Sequence, residues 1–429
     1  MSSAGASLVL DDLLARGWTE AEVFWKSGRT RRFDFEQENE STLSSDEAGW
    51  AVRAGRSGAS IFFAATGPPT VEPNWPEAHD GSLRLPAPMP IGNWRPPQSL
   101  ESSLVGELEG RTILRTVAEK LAQEAPRSRL ESAVLEDGAS EAWIRNSHGV
   151  DASYRSRLAT IRLVASMPAS GTEQCSISSV ARCARDFRPD ALVRRLADLL
   201  RLSQGDRGPR TEQGTVLLSP QVATHLVAGM IPLFVGAADG SRCEAGLGEG
   251  RVAAPCVTVV DDGRYPRGLL AAPVDGEGVP TRPRALIEEG NAGETILPWW
   301  HSERPVGCRM RASWQDPPLT GATHLYLRPD AETSVASLLS DLRSGYYLID
   351  AIGPAVFDSS SHSFSIPCCG FEVHEGRAIS PVACVRLEGD LRRLLRNVRA
   401  VARDLTFAAH GAIVGSPSLL VGELDLRSS

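Results

Sequence analysis

The pattern of apolar and polar positions gives the first half of the chain a mixture of strands and helices. Alternating or short apolar runs predict strands at 21–28, 30–37, 49–56, 58–66, 128–137, 140–147 and 156–166. Apolar residues at helical spacing predict helices near 7–17, 111–123 and 189–202. Between these elements, 67–98 is rich in proline and has little periodicity, so we expect an extended loop there.

The pattern changes after a polar segment that is rich in turn-forming residues. Beyond it, short strands separated by glycine and proline turns predominate, with helices expected near 219–235, 334–344 and 390–399. We therefore predict an α+β protein. An N-terminal α/β domain with a largely antiparallel sheet occupies 1–203, a linker 204–213, and a β-rich C-terminal domain with a few helices 214–429.

Composition narrows the class of protein without identifying a function. The 429 residues are 42% hydrophobic and 23% charged, as in an ordinary globular protein, and the net charge of −8 argues against a nucleic-acid-binding surface. No apolar run approaches the ~18 residues of a membrane-spanning helix, so we expect no contact with a membrane. The eight cysteines are scattered and form no C-x-x-C pair, which favours reduced thiols and a cytoplasmic location.

One hexapeptide, His225-Leu226-Val227-Ala228-Gly229-Met230, has the outline of a zinc-peptidase helix. Such a helix uses two histidines to bind zinc and a glutamate to activate its water. Here leucine takes the glutamate position and methionine takes that of the second histidine. Five residues rotate by about 500° along an ideal α-helix, so the first and last positions diverge by about 140°. The alternative is an apolar packing helix that contains an incidental histidine.

The segments around this hexapeptide are similar to those of a known family. They occur in the order VTVVDDG (257–263), PVDGEGVPTR (273–282), ALIEEGN (285–291), CCGFEVHEGRAISPV (368–382), LEGDLRRLLRNVRAVARDL (387–405) and GSPSLLVGELDL (415–426). In this order and spacing they resemble the TldD/PmbA family of bacterial zinc metallopeptidases. The chain departs from the family pattern at Glu375, where an asparagine is usual, and at 402–404, where the family has G-N-D.

The resemblance implies a role that depends on which branch of the family the chain is similar to. TldD-like members carry H-E-x-x-x-H and a C-terminal cysteine, which together hold zinc, whereas TldE (PmbA)-like members lack these residues and pair with a TldD-like chain. Here Leu226 and Met230 replace two motif residues, His410 lies in the region of the expected cysteine, and no cysteine follows Cys384. The chain therefore looks like a TldE-type subunit. It is expected to have no metal of its own, with zinc in a TldD-like partner, and to act on unfolded or modified peptides.

Two other functions stay open from the residues alone. The first is a self-sufficient metallohydrolase whose rebuilt site would use His225, His410 and either His362 or His374. The second is a non-enzymatic module that binds peptides.

Several residues outside the hexapeptide are candidates for contact with substrate or partner: Asp275, Glu277, Trp299, Trp300 and His362. The first two can form a carboxylate pair for acid–base chemistry or simply a polar turn between strands. The two indoles can line a ligand pocket or an interface, or simply pack.

Overall fold

In the part of the chain that the structure describes, the N-terminal half is built on one antiparallel sheet with three α-helices. The computed structural model describes residues 2–36, 39–72, 74–97, 100, 102–167, 174–203, 208–209, 212–236 and 246–428. The strands are β1 (Glu20–Glu36), β2 (Asn39–Arg56), β3 (Ala59–Thr66), β4 (His79–Asp80), β5 (Arg129–Asn146), β6 (Asp151–Ser166) and β7 (Cys175–Ala181). The helices are α1 (Ser2–Ala15), α2 (Glu107–Glu124) and α3 (Pro189–Leu202). The sheet order is β4-β3-β2-β1-β5-β6-β7, and every pairing is antiparallel.

Alternation along the strands directs the two faces of this sheet to different neighbours. On one face, Val23 packs in a cluster with Leu13 of α1, and Phe33 packs in a cluster with residues of α2 and α3. On the opposite face, Phe24 packs against Val274 and Trp314 from the second half of the chain. The first half is therefore covered by its own helices on one side and by the C-terminal half on the other.

The C-terminal half contains a closed ring of strands and a second, open sheet. Its strands are β8 (Gln213–Leu218), β9 (Val259–Asp261), β10 (Arg284–Glu288), β11 (Asn291–Ala292), β12 (Arg309–Met310), β13 (Leu319–Thr320), β14 (Leu325–Leu327), β15 (Ser344–Ala351), β16 (Val356–Phe357), β17 (Ser363–His374), β18 (Arg377–Asp390), β19 (Val398–Val401), β20 (Thr406–Ala409), β21 (Ile413–Ser416) and β22 (Leu419–Ser428). Its helices are α4 (Pro220–Phe234), α5 (Val335–Asp341) and α6 (Leu391–Asn397).

The ring closes because β15 pairs with both β8 and β17. The pairings run β15–β8–β22–β18–β17 and return to β15, while β16 pairs with β17 and β19 pairs with β22. The open sheet has the order β11-β10-β9-β14-β21-β20. Helix α4 contacts β15 of the ring and β14 and β21 of the open sheet, and one apolar cluster joins all three.

The predicted α+β class is confirmed, and the differences from the sequence prediction are local. The strands predicted at 21–28 and 30–37 form one continuous strand, as do those at 128–137 and 140–147. The proline-rich segment 67–98 contributes β4 and packs on the sheet: the Trp75 ring lies 5.4 Å from that of Phe63, and Leu85 is buried. Much of the linker predicted at 204–213, together with Cys243, lies outside the described residues. In the described part of the chain no helix is long and apolar enough to cross a membrane.

Candidate functional site

Helix α4 carries the hexapeptide, and its first turn is fixed by the local sequence. The backbone N–H of Val222 donates to the Ser219 hydroxyl, which caps the helix, and Pro220 occupies the first helical position. The Ser219 hydroxyl also donates to the carbonyl oxygen of Ile349 in β15, at 2.7 Å. The helix is thereby anchored to the ring of strands, and its orientation decides where each motif position points.

The motif positions of α4 point in different directions. Leu226 is 0% exposed and Met230 is 1% exposed, and both belong to the apolar cluster between the ring and the open sheet. His225 instead faces cavities at the surface, together with Thr224, Ala228 and Gly229. This follows the divergence of about 140° expected between positions five residues apart, since α4 remains α-helical through the motif.

His225 and His410 stack on each other, and we call them the histidine pair. Their ring centroids are 3.9 Å apart and the planes are tilted by 34°. The His410 Nε2 atom lies 3.1 Å from the Thr224 hydroxyl. Burial lowers the pKa of each histidine to about 4, assisted by the nearby guanidinium of Arg195 and, for His410, by His225. Both imidazoles are therefore neutral at pH 7.

Two cavities meet at the histidine pair. The larger, of about 520 Å³, lies between residues 176–180 of β7 and residues 406–409 of β20. Strand β7 is an edge strand of the N-terminal sheet and β20 is an edge strand of the open sheet, so the edges of two sheets border one groove. We call it the edge groove. The smaller, of about 390 Å³, lies on the other side of the pair, against Phe357 and Leu391. A continuous concave surface thus crosses the face of α4.

One ion pair supports the floor of the edge groove. Arg195 of α3 and Asp350 of β15 join the two halves of the chain, with Nη2 and Oδ1 2.9 Å apart. Arg195 also donates to the carbonyl oxygen of Ser178 in β7. Sequence reasoning missed this pair because its members are separated by 155 residues and neither belongs to a recognisable motif. Thr224 was also missed, although it directly precedes the candidate histidine.

The carboxylates of the turn at 275–278 are buried away from both cavities. The Asp275 carboxylate accepts four backbone N–H bonds, from Glu277, Val279, Cys308 and Arg309. Burial, together with the neighbouring carboxylate of Glu277, raises the pKa of Asp275 to about 7.

Glu277 is 0% exposed and joins the two halves of the chain. It pairs with Arg53 of β2 at 2.8 Å and accepts a hydrogen bond from the Trp299 indole at 3.2 Å. Gly278 has a φ of +83°, which this turn needs and glycine supplies. The geometry favours the polar-turn alternative and gives both carboxylates structural contacts.

The other sequence candidates are spread over the C-terminal half. Trp299 and Trp300 are half-buried, with ring centroids 5.4 Å apart, and Arg309 lies over the Trp300 ring. His362 lines the smaller cavity, which brings it to the same cavity as the histidine pair. His374 is exposed at the end of β17 and lines none of these cavities. Apart from His374, the sequence candidates thus form one group around α4 and another around the Glu277 turn.

The side chains around α4 do not fit a closed zinc site. Such a site needs three or four ligands that converge at tetrahedral angles. Within the described ranges, no group of three or more histidine, cysteine, aspartate or glutamate side chains could hold a metal ion. The two imidazole rings stack on each other with their planes tilted by 34°, and the methionine of the motif is in the apolar core.

Comparison with known proteins decides the family. Residues 211–428, just over half of the chain, match the family described as the PmbA/TldA metallopeptidase C-terminal domain. The chain belongs to the PmbA/TldD family. The matched region contains α4, the ring of strands and the open sheet, so the PmbA/TldD domain supplies most of the concave surface described above.

Individual PmbA/TldD relatives match parts of the chain. The metalloprotease PmbA of Escherichia coli O157:H7 is 24% identical over 61% of this chain and 57% of its own length. A PmbA homologue of Haemophilus influenzae is 27% identical over 38% of this chain and 34% of its own length. The chain therefore spans between a third and three-fifths of the length of these curated relatives. A crystal structure of TldE from Thermococcus kodakarensis has a TM-score of 0.85 at 16% identity, covering 98% of this chain and 99% of that one, so the fold is shared throughout.

Proposed function

We propose that this chain is the non-catalytic, TldE-like subunit of a heteromeric TldD/TldE-type zinc metallopeptidase. The observation that carries the proposal is the state of α4. The positions that would supply the glutamate and the second histidine are leucine and methionine side chains in the apolar core, and the remaining histidine stacks on His410. A leucine cannot move protons, and a core thioether is a poor substitute for imidazole as a zinc ligand.

In this proposal the hydrolytic chemistry belongs to a TldD-like partner. Zinc in that partner would activate water and polarise the peptide carbonyl. This chain contributes walls to the chamber in which the peptide lies. The edge groove suits an extended peptide, because strands β7 and β20 both present an outer edge to it and a peptide backbone can pair with such an edge. Substrates are then unfolded or modified peptides, including precursors of natural products, and the complex is cytoplasmic.

Co-expression with a TldD-like chain tests the proposal. We expect the two chains to purify together and to hydrolyse an unstructured peptide, with the activity lost on addition of a chelator. Each chain alone should be much less active than the mixture. If this chain alone cleaves peptides at the rate of the mixture, or if no TldD-like chain binds it, the proposal is wrong.

One observation favours the metallohydrolase alternative enough to require its own test. His362 lines the same cavity as the histidine pair, so three imidazoles border one space. Metal analysis of the purified chain, with His225→Ala as the variant and His374→Ala as the matched control, separates the two functions. Stoichiometric zinc that only His225→Ala removes would support the alternative and contradict the subunit proposal.

A peptide-binding role without a peptidase partner is the remaining alternative. It predicts the same affinity for peptides but no association with a TldD-like chain. Isolation of the protein from its native cells, followed by identification of the chains that purify with it, distinguishes this role from the proposed one.

A further inference from the structure

The smaller cavity, which we call the α4 pocket, has walls of a distinct chemistry. Its sides are apolar and aromatic, formed by Pro232, Phe357 and Leu391 with the edge of the histidine pair. Gly229 permits this arrangement, because a Cβ atom there would lie 2.2 Å from the Phe357 ring. The pocket of about 390 Å³ is within the size range of small-molecule sites. It opens beside the edge groove, since His225 and His410 line both.

Besides the histidine pair, the polar residues that line the α4 pocket are Asp358, Ser359 and His362, and the His362 imidazole has no partner among the described residues. The His362 side chain lines the pocket although the residue is only 7% exposed. Its backbone carbonyl accepts a bond from the Leu391 N–H, but its imidazole makes no hydrogen bond or ion pair with any residue that the structure describes. The imidazole nitrogens are not among the described side-chain atoms that are buried without a partner, so they open to the pocket. A ligand that displaces water there must offer the imidazole a hydrogen bond in its place.

Charge restricts what this ligand can be. The histidine pair is neutral at pH 7 because burial lowers both pKa values to about 4. Asp358 is ionised, but its carboxylate accepts bonds from the hydroxyls of Ser360 and Ser361 and from the Ser360 N–H. Among the described residues, no lysine or arginine lines the pocket, which disfavours a carboxylate or phosphate. A neutral group fits better.

The shape and polarity of the walls favour an aromatic group with one polar atom at its rim. Aromatic rings pack well against the Phe357 ring and against the imidazole edges that border the pocket. A purely aliphatic side chain would fill the space but leave the His362 imidazole unpaired, with a penalty of about 1–3 kcal/mol. A phenol satisfies both requirements, since its ring is apolar and its hydroxyl can donate or accept a hydrogen bond.

We propose that the α4 pocket receives a tyrosine side chain of a peptide that lies in the edge groove, with the phenol hydroxyl bonded to His362. This inference rests on the proposed function, because it takes a peptide as the occupant of the edge groove. It adds a sequence preference that backbone pairing along β7 and β20 cannot supply. The chain would then select peptides as well as enclose them.

Peptide binding to the full purified chain tests the pocket. Three fluorescein-labelled, unstructured peptides differ only at one central residue, which is tyrosine, phenylalanine or alanine, and fluorescence anisotropy gives their affinities at pH 7.5. We expect tyrosine to bind on the order of tenfold tighter than alanine, from burial of the ring. Tyrosine should also bind several-fold tighter than phenylalanine, from the hydrogen bond to His362. Equal affinities for the three peptides, or no measurable binding, would overturn the proposal.

Variants separate the pocket from the rest of the surface. His362→Asn should abolish the preference for tyrosine over phenylalanine, because its shorter side chain withdraws from the pocket while asparagine still tolerates the φ of +58° at this position. Ala355→Trp fills the pocket and should remove all discrimination. Val356→Trp is the matched control, since its neighbouring side chain is 60% exposed and lies outside the pocket.

The outcomes also distinguish this proposal from the subunit role. Thermal unfolding establishes that each variant is folded, and the comparison of Ala355→Trp with Val356→Trp stands even if His362→Asn does not fold. Unchanged tyrosine preference in Ala355→Trp refutes the pocket. If the pocket proposal is wrong, this chain should still bind a TldD-like chain. If the subunit role is wrong, that binding should be absent.

Discussion

Restoring the missing glutamate by Leu226→Glu is the most direct test of how α4 is placed. Leu226 is 0% exposed and is surrounded by the apolar cluster that joins the ring, α4 and the open sheet. The new carboxyl group would therefore lie in the core and not in either cavity. We expect loss of stability without any gain of peptidase activity.

Three contributions set how much Leu226→Glu should destabilise the folded protein. The ordinary pKa of glutamate lies almost three units below pH 7, and each pH unit corresponds to ~1.36 kcal/mol. Keeping the carboxyl neutral at pH 7 therefore costs about 3–4 kcal/mol. An unpaired buried polar group adds about 1–3 kcal/mol. Loss of the buried leucine adds roughly 2 kcal/mol. The sum of roughly 6–9 kcal/mol is comparable with the ~5–15 kcal/mol that stabilises a native protein.

Urea unfolding at pH 5 and pH 7 measures the effect, with Leu226→Gln as the matched control. Glutamine has nearly the same shape and no charge, so any titration of the histidine pair is common to both variants. In Leu226→Glu the carboxyl pKa is raised in the folded state, so its stability declines as pH rises above the ordinary pKa. The difference between the variants should therefore grow by about 1.4 kcal/mol for each pH unit. If the two variants stay within about 1 kcal/mol of each other at both pH values, the carboxylate has reached solvent and the reasoning is refuted.

Three further changes test other parts of the structure. Glu277→Ala removes one of the two buried carboxylates that pair with Arg53, the other being Glu22, so Arg53 and Arg309 lose part of their neutralising charge. It should destabilise the protein by up to about 3–5 kcal/mol in urea unfolding, whereas Asp151→Ala, at an exposed pair, should change it little. Gly229→Ala should lower the free energy of unfolding by about 1–3 kcal/mol, because the new methyl group displaces the Phe357 ring. Adding Phe357→Ala to the same chain should recover part of that loss; strictly additive effects of the two substitutions would contradict this contact. Both members of the histidine pair have lowered pKa values, so the free energy of unfolding should fall as pH drops from about 6.5 towards 4. NMR titration should give a pKa near 4 for each histidine, and values near 6.5 would contradict the burial of the pair.

The α+β class and the helix that carries the site could be predicted from local patterns. A capping serine, a proline at the first position and an apolar run are enough to predict a helix at 219–235, and the structure has α4 at Pro220–Phe234. The long strands were harder to predict. Gly28 lies within β1 and Gly138 within β5, so local turn signals suggested breaks, although cross-strand pairing continues through both.

The candidate site could be predicted only in part, because its contacts are remote in sequence. The hexapeptide pointed to His225, but nothing local shows that its ring stacks on His410 or that Arg195 reaches Asp350. The Glu277 turn illustrates the same difficulty. A carboxylate in a glycine turn has the same local pattern whether it meets a substrate or Arg53, and only the packing of the two halves distinguishes them.

The closed ring of strands has a consequence for folding during synthesis. Strand β8 precedes α4, but one of its two neighbours in the ring is β22, which follows about 200 residues later. At translation rates of roughly 5–20 residues per second, β8 and the apolar side of α4 wait for roughly 10–40 s before the ring can close. The N-terminal sheet has all its strands by then and can fold first. The C-terminal half therefore emerges from the ribosome with exposed apolar surface, and it is the half for which chaperones should matter most.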